Sequence, residues 1–244
     1  MAAEGPWVAG VDGCPAGWAA MFLRLDGDPA PALSVFADLA ALLADPRQPT
    51  VIAIDMPIGL PERIGPGGRG PERLVRPLLG DRQSSVFSVP SRAAVMADGY
   101  RQACAVAMAT SEPPRKVSKQ CFHLFPKIRE IDRLMTPALE SWVYEAHPEL
   151  AFWRLNGERP VPVAKKVRSR VNPEGVAFRA DLLAAAGFDR AVLAQPLPRG
   201  VGRDDVLDAA VLALTATRIA RGDGRSFPVE PERDGRGLRI AIWT

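Results

Sequence analysis

Carboxylates that close apolar runs are the residues of this chain whose placement first suggests chemistry. Asp12 ends the apolar run in VAGVDGCPAGW (8–18), and Asp55 ends TVIAID (50–55). Glu145 follows the apolar residues of SWVYEAHPE (141–149), and Asp204, Asp205 and Asp208 open RDDVLDAAVLALTATRIARG (203–222). Acids fixed on rigid elements make good ligands for hard divalent cations such as Mg²⁺ and Mn²⁺, which prefer oxygen donors. Two such ions held by shared carboxylates can activate a water and stabilise a leaving oxygen at a phosphodiester. Crowded carboxylates without a cation repel one another, so a cluster of them implies a positive partner.

Each acid also has a plainer explanation. Asp-Gly favours turns, which accounts for Asp12, and Asp55 can open a turn before Pro57. Glu145 can be a solvated strand end. Asp204 can cap its helix, and Asp205 can complement the helix dipole. Asp208 is harder to dismiss, because it lies inside the helix and shares a face with Asp204 at i,i+4 and with Asp205 at i,i+3. The pattern of the acids taken together favours a metal site.

Other residues offer supporting roles. His147, one of two histidines, has the chemistry of a general base or proton shuttle. His123, within CFHLF, reads as a packed structural residue. Arg69, Arg73, Arg76, Arg82 and Arg92 suit a phosphate groove, as do Lys119, Lys127, Lys165 and Lys166. Each of these can equally be a surface charge. Ser84, Ser85 and Phe87 sit in a loop that could position a phosphate or a base, but no base lies beside the serines in sequence to activate them as nucleophiles. Trp18, Phe87 and Trp153 offer stacking surfaces, with Trp18 better explained by packing in a sheet.

The elements that must carry these residues follow from periodicity. Residues 7–12, 17–25 and 32–36 read as strands with connections too short for crossover helices, hence an antiparallel meander. A helical pattern at 37–45 leads to a strand at 50–55, which a crossover would set parallel to an earlier strand. Residues 61–92 read as a long Gly-, Pro- and Arg-rich loop with one helical turn near 71–79. Helical spacing returns over 91–110, and 118–135 is partly helical after Pro126. Residues 141–149 read as a strand ending in acids, 176–188 as a helix stopped by Gly187, and 203–222 as the clearest helix, stopped by Gly222. A last strand is expected at 238–243. The chain is thus an α/β protein with a mixed sheet.

Composition sets limits. The 244 residues, 47% hydrophobic and 24% charged, suit one globular domain, and the net charge of +3 does not by itself mark a nucleic-acid binder. Only five of the 31 basic residues are Lys, an Arg bias that matches a chain also rich in Ala and Pro. Three widely spaced cysteines argue against a disulfide framework and for a reducing, cytoplasmic setting. MAAEGPW lacks the features of a signal peptide, and no apolar run approaches the ~20 residues of a membrane span.

The six segments GVDGCPAGW (10–18), IDMPIGLP (54–61), RPLLGDRQSSVFSVPSR (76–92), SKQCFHLFPKI (118–128), YEAHPELAF (144–152) and RDDVLDAAVLALTA (203–216) together resemble the domain of unknown function 429 family. That family is described as a predicted ribonuclease H-like nuclease, and the last segment also resembles the final catalytic helix of Holliday-junction resolvases. The resemblance implies a ribonuclease H-like fold: a mixed five-stranded sheet flanked by helices, here a single domain over 1–244 with an elaborated insertion at about 61–138. It implies Asp12, Asp55, Asp205 and Asp208 as ligands of Mg²⁺ or Mn²⁺, with Glu145 completing the catalytic set and His147 and Asp204 as accessories. The expected activity is two-metal-ion hydrolysis of a nucleic-acid phosphodiester, with Arg76, Arg82, Ser85, Lys119, Lys127 and Lys166 toward the substrate. The resemblance leaves a homodimer open. Two other readings compete: a phosphotransferase like the actin and sugar-kinase group, with the 10–18 turn as phosphate loop, and a non-enzymatic nucleic-acid-binding module on the same scaffold.

Overall fold

The first strand, β1 (Trp7–Cys14), lies at the centre of a five-stranded sheet. In the computed structural model, which describes residues 5–27, 30–167 and 170–244, it pairs antiparallel with β2 (Gly17–Arg24) and parallel with β4 (Val51–Ile54). β3 (Ala32–Phe36) extends the sheet beyond β2, and β5 (Val143–Glu145) pairs parallel with β4. The order is β3-β2-β1-β4-β5, so the expected meander is followed by two parallel strands. α1 (Leu39–Leu43), capped by the Asp38 side chain, makes the crossover that reverses the chain before β4.

Strand side chains alternate between two layers. Ala9, Val11, Trp18, Phe22, Ile52 and Ile54 face one core, packed by α1 and by the helices between β4 and β5. Val8, Met21 and Ala53 face the other, packed by α9 (Arg203–Ala220) and by α6 (Pro148–Leu155) and α7 (Pro173–Ala185). α9 lies directly on β1, and Gly10 is the reason: a Cβ there would stand 1.9 Å from the Ala213 nitrogen and 2.2 Å from the Ala209 oxygen. Absence of a side chain at Gly10 lets helix and strand backbones meet, which brings the start of α9 to the end of β1.

Several expectations change. The segment expected to be a long loop holds α2 (Gly70–Val75) and a 3₁₀ run, Arg76–Ser85, broken at Gly80, whose φ is +52°. Residues 91–110 divide into α3 (Arg92–Val95) and α4 (Tyr100–Ala109). α5 (Lys119–Leu134) begins at the Ser118 cap and runs through Pro126, although the sequence predicts helix only after that proline. Pro126 is exposed, while Cys121, Phe125, Ile128 and Ile131 form a buried stripe; that burial outweighs the backbone bond Pro removes. The strand read over 141–149 stops at Glu145, because Pro148 is better placed at the first turn of α6. β9 (Arg239–Trp243) forms as expected but pairs with an unforeseen β8 (Ser226–Arg233). Pro228 and Pro231 hide β8 in the sequence, and it survives as a two-stranded ribbon with a register shift. His123, expected to be packed, is exposed on α5. The remaining elements are α8 (Arg190–Ala194) and a short ribbon, β6 (Lys166–Val167) with β7 (Arg170–Val171), whose connecting Arg168 and Ser169 lie outside the described residues. Cys14, Cys104 and Cys121 are free thiols, and no described helix is long and apolar enough to cross a membrane.

Candidate active site

A cavity of about 400 Å³ opens at the carboxyl end of β1 and β4. Asp12, Asp55, Glu145, Asp204, Asp205 and Asp208 all line it. Residues distant in sequence meet here because the Asp55 N–H donates to the Val11 oxygen at 2.9 Å, fixing Asp55 beside Asp12 across parallel strands. By alternation both carboxyls face α9, on the same side as Gly10 and Ala53. Asp208, one turn into α9 and 2% exposed, arrives from above.

The electrostatics are those of excess acid. Burial pushes the Asp12 carboxyl well above its usual range, and Asp208 and Asp55 push it further. Asp55 is raised to about 7, chiefly by burial; Lys165 and a hydrogen bond from Asp12 oppose the rise, and Glu145 adds to it. Asp208 is raised to about 6, again by burial, against the pull of the Lys165 ammonium. Lys165 holds one oxygen of Asp208, Oδ2. The other, Oδ1, is buried and has no hydrogen-bond partner among the described residues. Lys166 pairs with Asp204 at 2.5 Å, and Asp205 Oδ2 accepts the Gly202 N–H at 2.8 Å. Asp205 stays a first-turn acid, reaching back from the third helical position to the N–H of the cap residue Gly202, whereas Asp204 pairs with a lysine instead of capping the helix. Among the described residues no three of His, Cys, Asp or Glu form a ready-made ion cage. The donors are hard oxygens, and an orphaned buried carboxylate oxygen beside a pair of crowded carboxyls fits a divalent ion in kind.

Glu145 belongs to a second cluster. It pairs in register with Ile54, so it points to the face opposite Asp12 and Asp55. There Arg69 grips both its oxygens, at 2.5 and 3.0 Å, and the Ile58 N–H donates to it at 2.7 Å. Arg69 also donates to Glu72 at 2.7 Å and to the Ile58 and Gly59 carbonyls. Burial raises the Glu145 carboxyl against the opposing charge of Arg69. With its acceptors engaged in this way, Glu145 braces the cavity rim rather than offering an open ligand. Arg69, read in the sequence as a groove residue, does line the cavity, but at 3% exposure it is committed to Glu145 and Glu72.

His147 lines the cavity just before α6. Its Nε2–H donates to the Ser85 carbonyl at 3.3 Å, leaving Nδ1 buried and without a partner among the described residues. Burial lowers its basicity, so the ring is neutral near pH 7 and Nδ1 is the proton acceptor. Lys127 and Lys166 reach the cavity; the Lys127 ammonium donates to the Gly17 carbonyl at 2.5 Å and sits 4.2 Å from the centre of the buried Trp18 ring. Ser85 and Phe87 also line it, with the Ser85 hydroxyl donating to the Arg82 carbonyl. Arg76, Arg82 and Lys119 are not brought to it. Arg76 staples its own loop, donating to the Val86 carbonyl at 3.0 Å and to Ser88 Oγ at 2.8 Å. Lys119 is exposed at the start of α5, and Trp153 is buried in a third apolar cluster.

Arg179 was not singled out by sequence reasoning, and Glu149 only as the last acid of the EAHPE motif, with no role given. Glu149 lines the cavity and receives a two-pronged contact from the fully buried Arg179, at 2.6 and 2.8 Å. The one available signal was the second acid of EAHPE placed in the first turn of an apolar helix.

A family model described as "Protein of unknown function (DUF429)" matches residues 10–233. No curated protein and no solved structure matches the chain.

Proposed function

The chain belongs to this DUF429 family of unknown function, and from that premise we propose that it is a divalent-metal-dependent nuclease hydrolysing a nucleic-acid phosphodiester. One observation carries the reading: Asp12 on β1, Asp55 after β4 and Asp208 on α9 converge on one cavity with more acid than the surrounding bases neutralise. The sheet order and the position of these three acids also support a ribonuclease H-like arrangement. Asp12, Asp55 and Asp208 would hold Mg²⁺ or Mn²⁺, with Asp205 close by. A bound ion there supplies a water of lowered pKa and Lewis-acid stabilisation of a phosphoryl oxygen.

The chain's own groups have distinct tasks. The neutral His147 can accept a proton at Nδ1. Lys127 and Lys166 place positive charge at the mouth, favouring a phosphate that would otherwise meet a wall of acids. Phe87 and the apolar side chains of α5 give the cavity a dry flank. The products would carry 5′-phosphates.

The test is a panel of labelled single-stranded, duplex and branched DNA and RNA, incubated with Mn²⁺ or Mg²⁺ and with chelator. Cleavage to 5′-phosphate ends, lost in chelator and reduced at least ~100-fold by Asp12→Asn or Asp208→Asn, is expected. Cleavage that persists in chelator, or that both variants retain, overturns the proposal.

A further inference from the structure

On α9, two acids one turn apart are each met by a lysine from one short segment: Asp208 by Lys165 and Asp204 by Lys166. Asp205 is occupied by the Gly202 N–H. Beside the Asp12–Asp55 pair, the oxygen of Asp208 left uncommitted is Oδ1.

Lys165 is held in place by a dedicated frame. The Asn172 N–H donates to the Lys165 carbonyl at 2.8 Å, and the Asn172 side chain to the Ala164 carbonyl at 2.9 Å. Arg179, locked onto Glu149, donates to the Val163 carbonyl at 2.9 Å. Gly175 lets α7 approach so closely that a Cβ would stand 2.1 Å from the Ala164 oxygen. Three successive carbonyls are thus tied down by Asn172, which precedes α7, and by Arg179 on it, and the lysine side chain, about a quarter exposed (26%), projects at the cavity wall. A surface lysine does not need a buried Arg–Glu pair to hold its backbone.

The charge count decides what such a lysine does. Asp12, Asp55 and Asp208, when ionised, carry three negative charges. One divalent ion and the Lys165 ammonium balance those three, while the fourth acid, Asp205, has Lys166 and Lys127 as its nearby cations. A second divalent ion would have to approach an oxygen of Asp208 that already bears an ammonium, against strong repulsion in a partly desolvated site.

We propose that the site takes a single divalent ion, on Asp12, Asp55 and the free oxygen of Asp208, and that Lys165 is a built-in second cation in place of a second ion. The proposal rests on the metal-dependent reading above and narrows its two-ion expectation to one ion and one lysine. An ammonium on a flexible stem can also donate to a phosphate oxygen of the substrate while staying beside Asp208.

The experiment is an ion count on the full chain: Mn²⁺ titration by calorimetry, checked by elemental analysis of the equilibrated protein. Wild type is expected to bind one Mn²⁺, Lys165→Arg also one, and Lys165→Met two. Two ions on wild type or on Lys165→Arg overturn the proposal while leaving the metal-dependent reading intact. A single ion on folded Lys165→Met, at any affinity, overturns it as well, since the lysine then excludes nothing. No binding by either wild type or Lys165→Met overturns the metal-dependent reading and this inference with it. If Lys165→Met does not fold, the counts on wild type and Lys165→Arg still decide.

Discussion

Two ionic clusters flank the carboxyl end of the sheet, and they are built on opposite principles. On one face Arg69 spans Glu145 and Glu72, with backbone N–H groups of Ile58 and Val89 and carbonyls of Ile58 and Gly59 filling the remaining valences. On the other, Asp12, Asp55 and Asp208 crowd together with one lysine between them and leave an oxygen orphaned. The first cluster is closed, and its planar guanidinium suits two carboxylates at once. The second is open: burial raises its carboxyls as it does those of the first, but here the members' own repulsion adds to the rise at Asp12 and Asp208. A saturated buried cluster fixes structure; an unsaturated one retains the capacity to bind something else.

The contrast is broken most severely by Arg69→Met. That change leaves Glu145 buried without a counter-charge and Glu72 with only Arg76, 3.6 Å away, a loss of about 3–5 kcal/mol. The melting temperature should fall by roughly 6–20 °C. A fall of under ~2 °C would show that the Arg69 cluster does not brace the cavity rim.

The open cluster should respond in the reverse way. Asp12→Asn removes a charge that repels its neighbours, so the metal-free protein should keep or gain stability, while Mn²⁺ affinity drops at least ~10-fold, as for loss of one carboxylate ligand. Destabilisation of the metal-free Asp12→Asn protein comparable to that of Arg69→Met would erase the distinction between the two clusters.

A pH series sharpens the difference further. Asp55 and Asp208 are raised in the fold to about 7 and about 6. Their ordinary value is about 3.9, so the folded state binds protons more tightly than the unfolded chain. The resulting stabilisation is fully present below about pH 4 and is lost as the pH rises through 6 and 7. These groups should therefore make the unfolding free energy, measured in chelator, decline across that window. Asp55→Asn should flatten the decline, and saturating Mn²⁺ should remove it. An Asp55→Asn profile parallel to wild type would remove Asp55 from the open cluster.

The smallest effect is expected outside both clusters. Lys119→Ala should change stability by less than ~0.5 kcal/mol and leave Mn²⁺ binding unaltered. A large loss of Mn²⁺ binding in that variant would extend the site to the start of α5.

Much of this was legible in the chain itself. Apolar runs with short connections announced the meander, a helical stretch before Val51 announced the parallel turn, and Asp12, Asp55 and Asp208 stood out because they end or interrupt apolar patterns. Elements whose local signals conflict with their packing were not legible. Pro126 looked like a helix start and Pro228 and Pro231 like strand breakers, yet burial of a stripe in α5 and pairing to β9 overrode them. The loop reading of 61–92 holds for 61–69 and 86–91 and fails between them, where Gly70, Pro71 and Pro77 sit at helix starts and Gly80 at a break, punctuating short helices rather than preventing them.

By itself the sequence determined which residues are apolar, which acids sit at their ends and, through the two-residue period of a strand, that Asp12 shares a face with Gly10. It could not determine register between strands. Register sets Glu145 opposite Ile54 and so turns it away from Asp12 and toward Arg69, although all these acids look alike in the chain. Nor could it reveal that Lys165 meets Asp208, or that Arg76 turns to its own loop and to Glu72 rather than to the cavity. Charge pairing depends on distances of a few ångströms between residues far apart in sequence, and those distances exist only once Gly10 has let α9 settle on β1 and Arg179 has fixed the backbone before Lys165.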